Sequence, residues 1–260
     1  MKKERKIVDY KPETTGKKGN YTVNSEGRIV NVKASDKKGA TGRRIGAVLL
    51  WIGAIAAEVV AILNVLGKFN LPEKFSQTTW LIILIVLDLI LVIIGSLLWK
   101  KANHIDPASE RNKVKFWLWN NLGSIISVVA FLPLIVLVLT NKDMDKKSKT
   151  IVSAVAAVAL VIAGLSSYDW NPVSSEQLAN AKAEILANGN YDTDKDGNPV
   201  VYWVANSRKY HINSNCSAIN RSNSSSDIFR GTIEAAYQKG LTEPCRICIK
   251  AIEKANNTNN

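Results

Sequence analysis

Four apolar segments that are almost free of charged residues constrain the fold of this chain most strongly. They are residues 45–66, 80–99, 117–140 and 151–167, and they hold 83 of the 260 residues but only two of the 56 charged ones. A helix needs about 20 apolar residues to cross a hydrocarbon core of about 30 Å. The first three segments meet this length, whereas the fourth is shorter and richer in Ala and Ser. We therefore predict four transmembrane helices, which excludes a freely soluble protein.

The aromatic residues and the net charge both indicate a lipid bilayer as the first partner. Trp80 and Trp99 bracket the second segment, as in the aromatic belts at membrane interfaces. The net charge is +12, and anionic lipid attracts each flanking Lys or Arg by about 1 kcal/mol. No apolar run occurs in the first 40 residues, so a cleaved secretory signal is not predicted.

The distribution of Lys and Arg predicts the orientation. Thirteen lie before the first apolar segment, two in the loop 67–79 and five in the loop 100–116. Because basic residues accumulate on the cytoplasmic side, we expect a protein of the bacterial cell membrane with both termini in the cytoplasm. The loop 141–149 carries four lysines and would face outside, against this rule. If the fourth segment does not span, the C-terminal region lies outside instead.

The predicted fold class is an α-helical membrane protein with a small C-terminal α+β, zinc-stabilised domain. Alternation around Ser25–Gly27 predicts a hairpin in an otherwise disordered basic tail. Ser174 and Gln177 form a capping-box pattern at the start of a helical stalk. The predicted boundaries are 1–44 for the tail, 45–167 for the membrane domain, 174–189 for the stalk, 190–253 for the zinc-binding domain and 254–260 for a polar tail.

All three cysteines lie within 33 residues of one another, which indicates a metal site. His211, Cys216, Cys245 and Cys248 form the pattern H-x4-C, 28 residues, C-x2-C. Zinc prefers four such ligands in a tetrahedron, and three thiolates with one imidazole complete it without an unpaired cysteine. Four protein ligands leave no position open for water, so we predict a structural Zn²⁺ site.

The surrounding residues agree with a compact zinc-binding fold. Thr232 can cap a short helix that Gly240 would end, and Pro244 then leads into the second ligand pair. Residues 200–253 resemble a small bacterial zinc-binding module with the pattern Y-H-x(n)-C and P-C-x-x-C, and are similar to the metal-binding module of the alkylation-response DNA methyltransferase. The matching residues are Tyr210, His211, Cys216, Ala236, Gly240, Pro244, Cys245 and Cys248.

This resemblance implies a treble-clef-like fold of the kind found at the ends of some membrane proteins and nucleases. The methyltransferase module has a fourth cysteine where this chain has His211, so thiolate methyl transfer is not implied. A serine-rich insert, residues 221–226, lengthens the loop between the ligand pairs. The resemblance implies nothing about residues 1–175.

Enzymatic activity finds little support in the sequence, although the question stays open. A zinc deaminase needs Glu two residues after the first ligand, where this chain has Asn213. Asp192–Gly197 imitates the start of a calcium loop, but the twelfth position is Trp203 instead of Glu, so a hairpin turn is favoured. We found no catalytic Ser/His/Asp set and no phosphate-binding glycine loop in the sequence.

Glu58 and Asp88 are the only charged residues within the apolar segments. By helix rise, both lie about 12 Å below the same interface, so we expect them to be neighbours. One interpretation is an ion or proton path. The other is that two neutral acids hydrogen-bond between helices to groups such as Asn64 or Ser127.

These patterns favour a membrane-tethered binding module that recognises an unidentified protein or a second copy of the chain as a homo-oligomer. One alternative is a small cation or proton channel or transporter that uses Glu58 and Asp88. Another is a membrane-anchored nucleic-acid-binding protein or nuclease, suggested by similar zinc modules and by four basic residues near the ligands. These are Lys209, Arg221, Arg230 and Arg246.

Overall fold

In the computed structural model the chain forms two compact units, which we call the mixed unit and the helical unit. The model describes residues 7–10, 21–23, 29–32, 37–187, 191–195, 197–221 and 226–258. The mixed unit comprises Met1–Ala40, Asn103–Arg111 and Asn171–Asn260, and the helical unit comprises Thr41–Ala102 and Asn112–Trp170.

Five helices build the helical unit or lead into it. They are α1 (Lys37–Val65), α2 (Gln77–Ile105), α3 (Lys113–Asn120), α4 (Leu122–Thr140) and α5 (Lys146–Ser167). All except α3 are long and apolar enough to cross a membrane, so the structure has the predicted number of such helices among the described residues. The helices α1, α2 and α5 extend beyond those segments because Lys, Arg and Ala are good helix formers outside the apolar stretch.

The third predicted segment, 117–140, is divided between two helices. Asn112 caps α3 by accepting a hydrogen bond from the Lys115 N–H at 3.0 Å. The break falls at Asn121, whose side-chain amide donates to the Trp117 carbonyl at 3.0 Å. Its side-chain oxygen accepts the Asp169 N–H at 3.0 Å, beyond the end of α5. The Asn121 side chain therefore hydrogen-bonds to backbone groups at the ends of two helices, α3 and α5, which an apolar side chain could not do.

Small residues let the helices of this unit approach closely. Ala156, Ala159 and Ala163 of α5 are buried, which explains the Ala-rich composition of this helix. A side chain at Gly123 of α4 would lie 2.7 Å from the Cβ of Ser96 on α2, so only glycine fits between these helices.

The mixed unit contains strands and short helices from both ends of the chain. They are β1 (Ile7–Asp9), β2 (Tyr21–Val23), β3 (Ile29–Val32), α6 (Ser175–Ala187), β4 (Val200–Val204), β5 (Lys209–Tyr210), β6 (Ile228–Thr232), α7 (Ile233–Gln238), β7 (Glu243–Pro244) and α8 (Arg246–Thr258). The N-terminal tail, predicted to be mostly disordered, thus contributes three strands. The helix α8 continues through much of the predicted polar tail.

The strand β6 is central in a three-stranded sheet of order β1-β6-β4. It pairs antiparallel with β4, where Trp203 lies opposite Phe229, and parallel with β1, where Asp9 lies opposite Arg230. The strands β5 and β7 form a parallel pair. The strands β2 and β3 pair antiparallel, as in the predicted hairpin, whose turn lies outside the described residues.

The helix α6 begins with the predicted capping box. The Gln177 N–H donates to the Ser174 hydroxyl at 3.0 Å, and the Ser174 N–H donates to the Gln177 side chain at 3.3 Å. Ile185 is buried in the same core as β4 and α7, and Lys182 pairs with Glu234 of α7 at 2.6 Å. The helix α6, predicted as a stalk, therefore buries an apolar face against the sheet domain.

Candidate metal centre

Backbone pairing fixes the first ligand. His211 follows β5 directly, and it exchanges two hydrogen bonds of 2.7 Å with Tyr202 of β4. Tyr202 in turn belongs to the strand that pairs with β6. The imidazole is therefore held against the sheet that forms the core of the mixed unit.

The three thiols come from a turn and from the start of a helix. Cys216 donates its N–H to the Asn213 carbonyl at 3.2 Å, which closes a tight turn after His211, and its carbonyl accepts the N–H groups of Ile219 and Asn220 in the next turn. Cys245 donates its N–H to the Tyr210 carbonyl at 2.8 Å, so the β5–β7 pairing brings the second ligand pair to the first. Cys248 lies in the first turn of α8.

The four residues predicted as metal ligands lie close together, as their spacing in the sequence indicated. Their ligand atoms all lie within 4.8 Å of one another, and all four residues are buried. The His211 Nδ1 is 3.9 Å from the Cys248 Sγ. Ligands on a zinc tetrahedron are separated by about 3.7 Å, given a Zn–S bond of about 2.3 Å. The cysteines are free thiols, and the cluster could hold a metal ion.

Burial shifts the pKa of the Cys248 thiol and of the His211 imidazole in opposite directions. Burial raises the pKa of the Cys248 thiol to about 12, while hydrogen bonds from the N–H groups of Ile212 and Asn213 oppose this rise. These two N–H groups are a part of the site that the sequence pattern did not reveal. Burial also lowers the pKa of His211, which keeps the imidazole neutral, as a metal ligand must be. A buried thiolate needs a cation beside it, and a metal ion would supply one.

The chemistry of the donor set fits a closed site better than a catalytic one. The cluster contains four His and Cys side chains and no carboxylate. Asn213, at the position of the deaminase glutamate, is exposed and caps the turn by accepting the Asn215 N–H at 2.7 Å. The described cluster therefore holds four candidate metal ligands and no carboxylate beside them that could act as a general base.

Comparisons with protein-family models, with curated proteins and with solved structures found no match. The geometry supports the metal-binding part of the sequence prediction, namely the four-residue cluster. The resemblance to a particular zinc module stays a prediction.

Glu58 and Asp88, the two acids of the apolar helices, are both buried in the helical unit. Glu58 Oε1 accepts the N–H of Leu134 at 3.1 Å, directly after Pro133 in α4. Proline disturbs the helical hydrogen bonding around it, and a carboxylate from α1 here accepts a neighbouring N–H. Asp88 lies within Coulombic range of Glu58, in agreement with the expectation that the two are neighbours. In the described chain, Glu58 Oε2 and Asp88 Oδ1 have no hydrogen-bond partner.

The hydrogen-bond partners predicted for these acids are wrong. Asn64 donates its side-chain amide to the Phe69 carbonyl at 3.0 Å and so closes the turn after α1. Ser127 donates to the Gly123 carbonyl at 2.9 Å within its own helix. Asn64 lies six residues beyond Glu58, about 9 Å along the helix axis, and its short side chain cannot span that distance. The partner of Glu58 is a backbone group instead, which side-chain patterns do not reveal.

Two of the four basic residues noted near the ligands are engaged in ion pairs. Lys209 contacts Glu243 at 2.8 Å, and Arg230 contacts Asp9 at 3.7 Å. Arg221 and Arg246 are exposed. Nucleic-acid binding stays a prediction.

Proposed function

We propose that this protein is a membrane-anchored binding module whose mixed unit is a structural zinc domain on the cytoplasmic face. The convergence of four buried His and Cys ligand atoms within 4.8 Å supports this proposal most directly. Three thiols and an imidazole are ligands that zinc prefers, and together they fill a tetrahedron. A zinc ion with four protein ligands has no position open for water or substrate, which favours a structural role over a catalytic one.

The chain segments that make up the mixed unit support an even number of membrane spans between them. It joins the N-terminal residues, the loop after α2 and the C-terminal region in one compact unit. Glu176 at the start of α6 accepts the N–H of Glu110 in that loop at 3.0 Å. Segments that share one unit lie on one side of a bilayer, and the basic N-terminal tail favours the cytoplasmic side.

Metal analysis of the full chain in detergent tests the zinc assignment. We expect one zinc per chain after purification without added metal, and loss of that zinc in Cys216→Ser. The exposed neighbour Ser217→Ala is the matched control and retains it. Purified protein that is folded but metal-free contradicts the proposal.

Thiol labelling on intact cells tests the orientation. A membrane-impermeant maleimide is expected to label Lys74→Cys, in the loop after α1, and not Lys101→Cys, at the end of α2. The native cysteines are buried, so the unmodified chain measures the background. The opposite labelling pattern overturns the cytoplasmic assignment.

An ion path is a second candidate, favoured by the unpartnered oxygens of Glu58 and Asp88. Burying an acid among spanning helices costs free energy, so such residues commonly have a function. Reconstituted vesicles under proton, sodium and potassium gradients are expected to show a flux that Glu58→Gln and Asp88→Asn abolish while zinc content is unchanged. Wild-type vesicles without flux under all three gradients eliminate this candidate.

A further inference from the structure

The outer edge of β6 holds a short segment from the opposite end of the chain. Residues 7–9 form β1 and pair parallel with β6, in the register Ile7 to Ile228 and Asp9 to Arg230. The backbone pairing continues at Tyr10, whose N–H donates to the Arg230 carbonyl at 2.6 Å. A segment of four residues thus adds a strand to a sheet built from residues about 220 positions later.

Two side chains of this segment make specific contacts. The Tyr10 ring packs edge-on against Trp203, with 5.5 Å between ring centroids, and the Lys239 ammonium lies 4.9 Å from the Tyr10 ring centroid. Asp9 faces the guanidinium of Arg230 at 3.7 Å. The edge of β6 is therefore lined by an aromatic surface and two cations, which suit an acidic residue followed by an aromatic one.

The remaining side chains of the segment contribute little burial. Ile7 is 54% exposed and Val8 is 39% exposed. The segment is held by backbone hydrogen bonds and by Asp9 and Tyr10 rather than by burial in the core. This is how extended peptides bind to sheet edges, where main-chain pairing gives affinity and alternate side chains give specificity.

We infer that the edge of β6 is a binding site for an extended peptide with an acidic residue followed by an aromatic one, and that residues 7–10 occupy it within the same chain. This rests on the proposed function of a binding module and names the class of partner. A partner protein binds by presenting such a segment and displacing β1. The resident segment lowers the apparent affinity for that partner, because the site is open only when β1 detaches.

The test uses a chain that lacks residues 1–10 and a fluorescent peptide of sequence RKIVDYKPET, residues 5–14. We expect saturable binding to the deletion variant in detergent and at least about tenfold weaker apparent binding to the full chain. A peptide with Tyr10→Ala should bind about tenfold more weakly, since it loses the contact with Trp203. Arg230→Glu in the deletion variant should weaken the native peptide and favour a peptide with Asp9→Lys.

Zinc content distinguishes failure of this inference from failure of the proposed function. A deletion variant that retains zinc but does not bind the peptide overturns the peptide site and leaves the zinc module standing. A deletion variant that loses its zinc shows that β1 is an integral strand and also overturns the site. Full chain without zinc instead contradicts the proposed function itself. Binding that is indifferent to Tyr10→Ala shows nonspecific adhesion and overturns the inference as well.

Discussion

The helical unit and the mixed unit are held together in different ways. In the helical unit the buried core is dominated by alanine, valine and leucine spread over four long helices. In the mixed unit the buried core packs around a three-stranded sheet and includes three cysteines, beside the buried His211. With the structural zinc that we propose, the mixed unit would depend on one site for much of its stability, whereas the helical unit distributes its stability over many small contacts. The two units should therefore respond differently to single substitutions.

The largest expected effect is loss of a metal ligand. Cys245→Ser should unfold the mixed unit, because a structural zinc contributes about 10 kcal/mol or more, comparable to the whole stability of a domain. Limited proteolysis of the full chain in detergent measures this as rapid cleavage within residues 191–258, with the α1–α5 region remaining intact.

Ser217→Ala serves as the control and should show no added cleavage, since Ser217 is an exposed neighbour of Cys216. A Cys245→Ser protein as resistant as the wild type would mean that the mixed unit does not depend on one site, and the contrast between the units would disappear.

A smaller effect is expected from filling a helix contact. Gly123→Ala places a Cβ 2.7 Å from the Cβ of Ser96 and 3.3 Å from the Cβ of Ser167, and should cost about 1–3 kcal/mol of unfolding free energy. Gly164→Ala on α5 meets no atom within 4 Å and should be neutral or slightly stabilising. Unfolding in detergent with increasing SDS fraction measures both. Equal costs at the two glycines would contradict the packing described between α2 and α4.

The next smaller effect is expected from loss of the hydrogen bond between the Leu134 N–H, directly after Pro133, and the Glu58 side chain. Glu58→Leu removes the acceptor of the Leu134 N–H and should cost about 1–2 kcal/mol in the same SDS titration. Glu58→Gln keeps an acceptor oxygen and should stay within about 0.5 kcal/mol of the wild type. If leucine is tolerated as well as glutamine, the Glu58 side chain does not stabilise α4, and a role in ion passage gains weight.

The smallest effect concerns the attachment of the loop after α2 to α6. Partial burial raises the pKa of Glu176, but hydrogen bonds from the Ser109 hydroxyl and the Glu110 N–H outweigh it and lower this pKa to about 2. A carboxylate with a lowered pKa stabilises the fold above its ordinary pKa of 4.5, and this contribution is lost as the pH falls toward 2. Glu176→Gln should therefore cost about 1 kcal/mol at pH 6 and progressively less below pH 4.5.

Urea unfolding at several pH values checks this difference. The exposed Glu253→Gln is the control and should match the wild type throughout. A cost for Glu176→Gln that does not change with pH would show that shape, and not charge, fixes the loop.

Sequence patterns predicted the features that depend on local chemistry. The spans follow from apolar length, the start of α6 follows from Ser174 and Gln177, and the start and end of α7 follow from Thr232 and Gly240. Gly240 has a φ of +78°, a backbone conformation in which a glycine costs least. The four candidate metal ligands were predictable because zinc requires particular ligand atoms whatever the fold around them.

Features that depend on distant partners were not predictable. Three residues, Ile7–Asp9, carry no strand periodicity, and their partner β6 lies about 220 residues away. The break at Asn121 depends on the Asp169 N–H, which only the folded chain brings close. The acceptor role of Glu58 likewise depends on a backbone group of α4.

Because β1 pairs with β6, the pairing cannot form until residues 228–232 have been synthesised. All four spanning segments are translated after residue 9 and before residue 228, an interval of about 10–40 s at about 5–20 residues per second. During that time residues 7–10 leave the ribosome without the strand with which they will pair. A segment this short, with Asp9 in it and basic residues just before it, is poorly suited to pairing with other nascent chains. Its brevity, which limits how strongly it holds the finished sheet, protects the chain while it is being made.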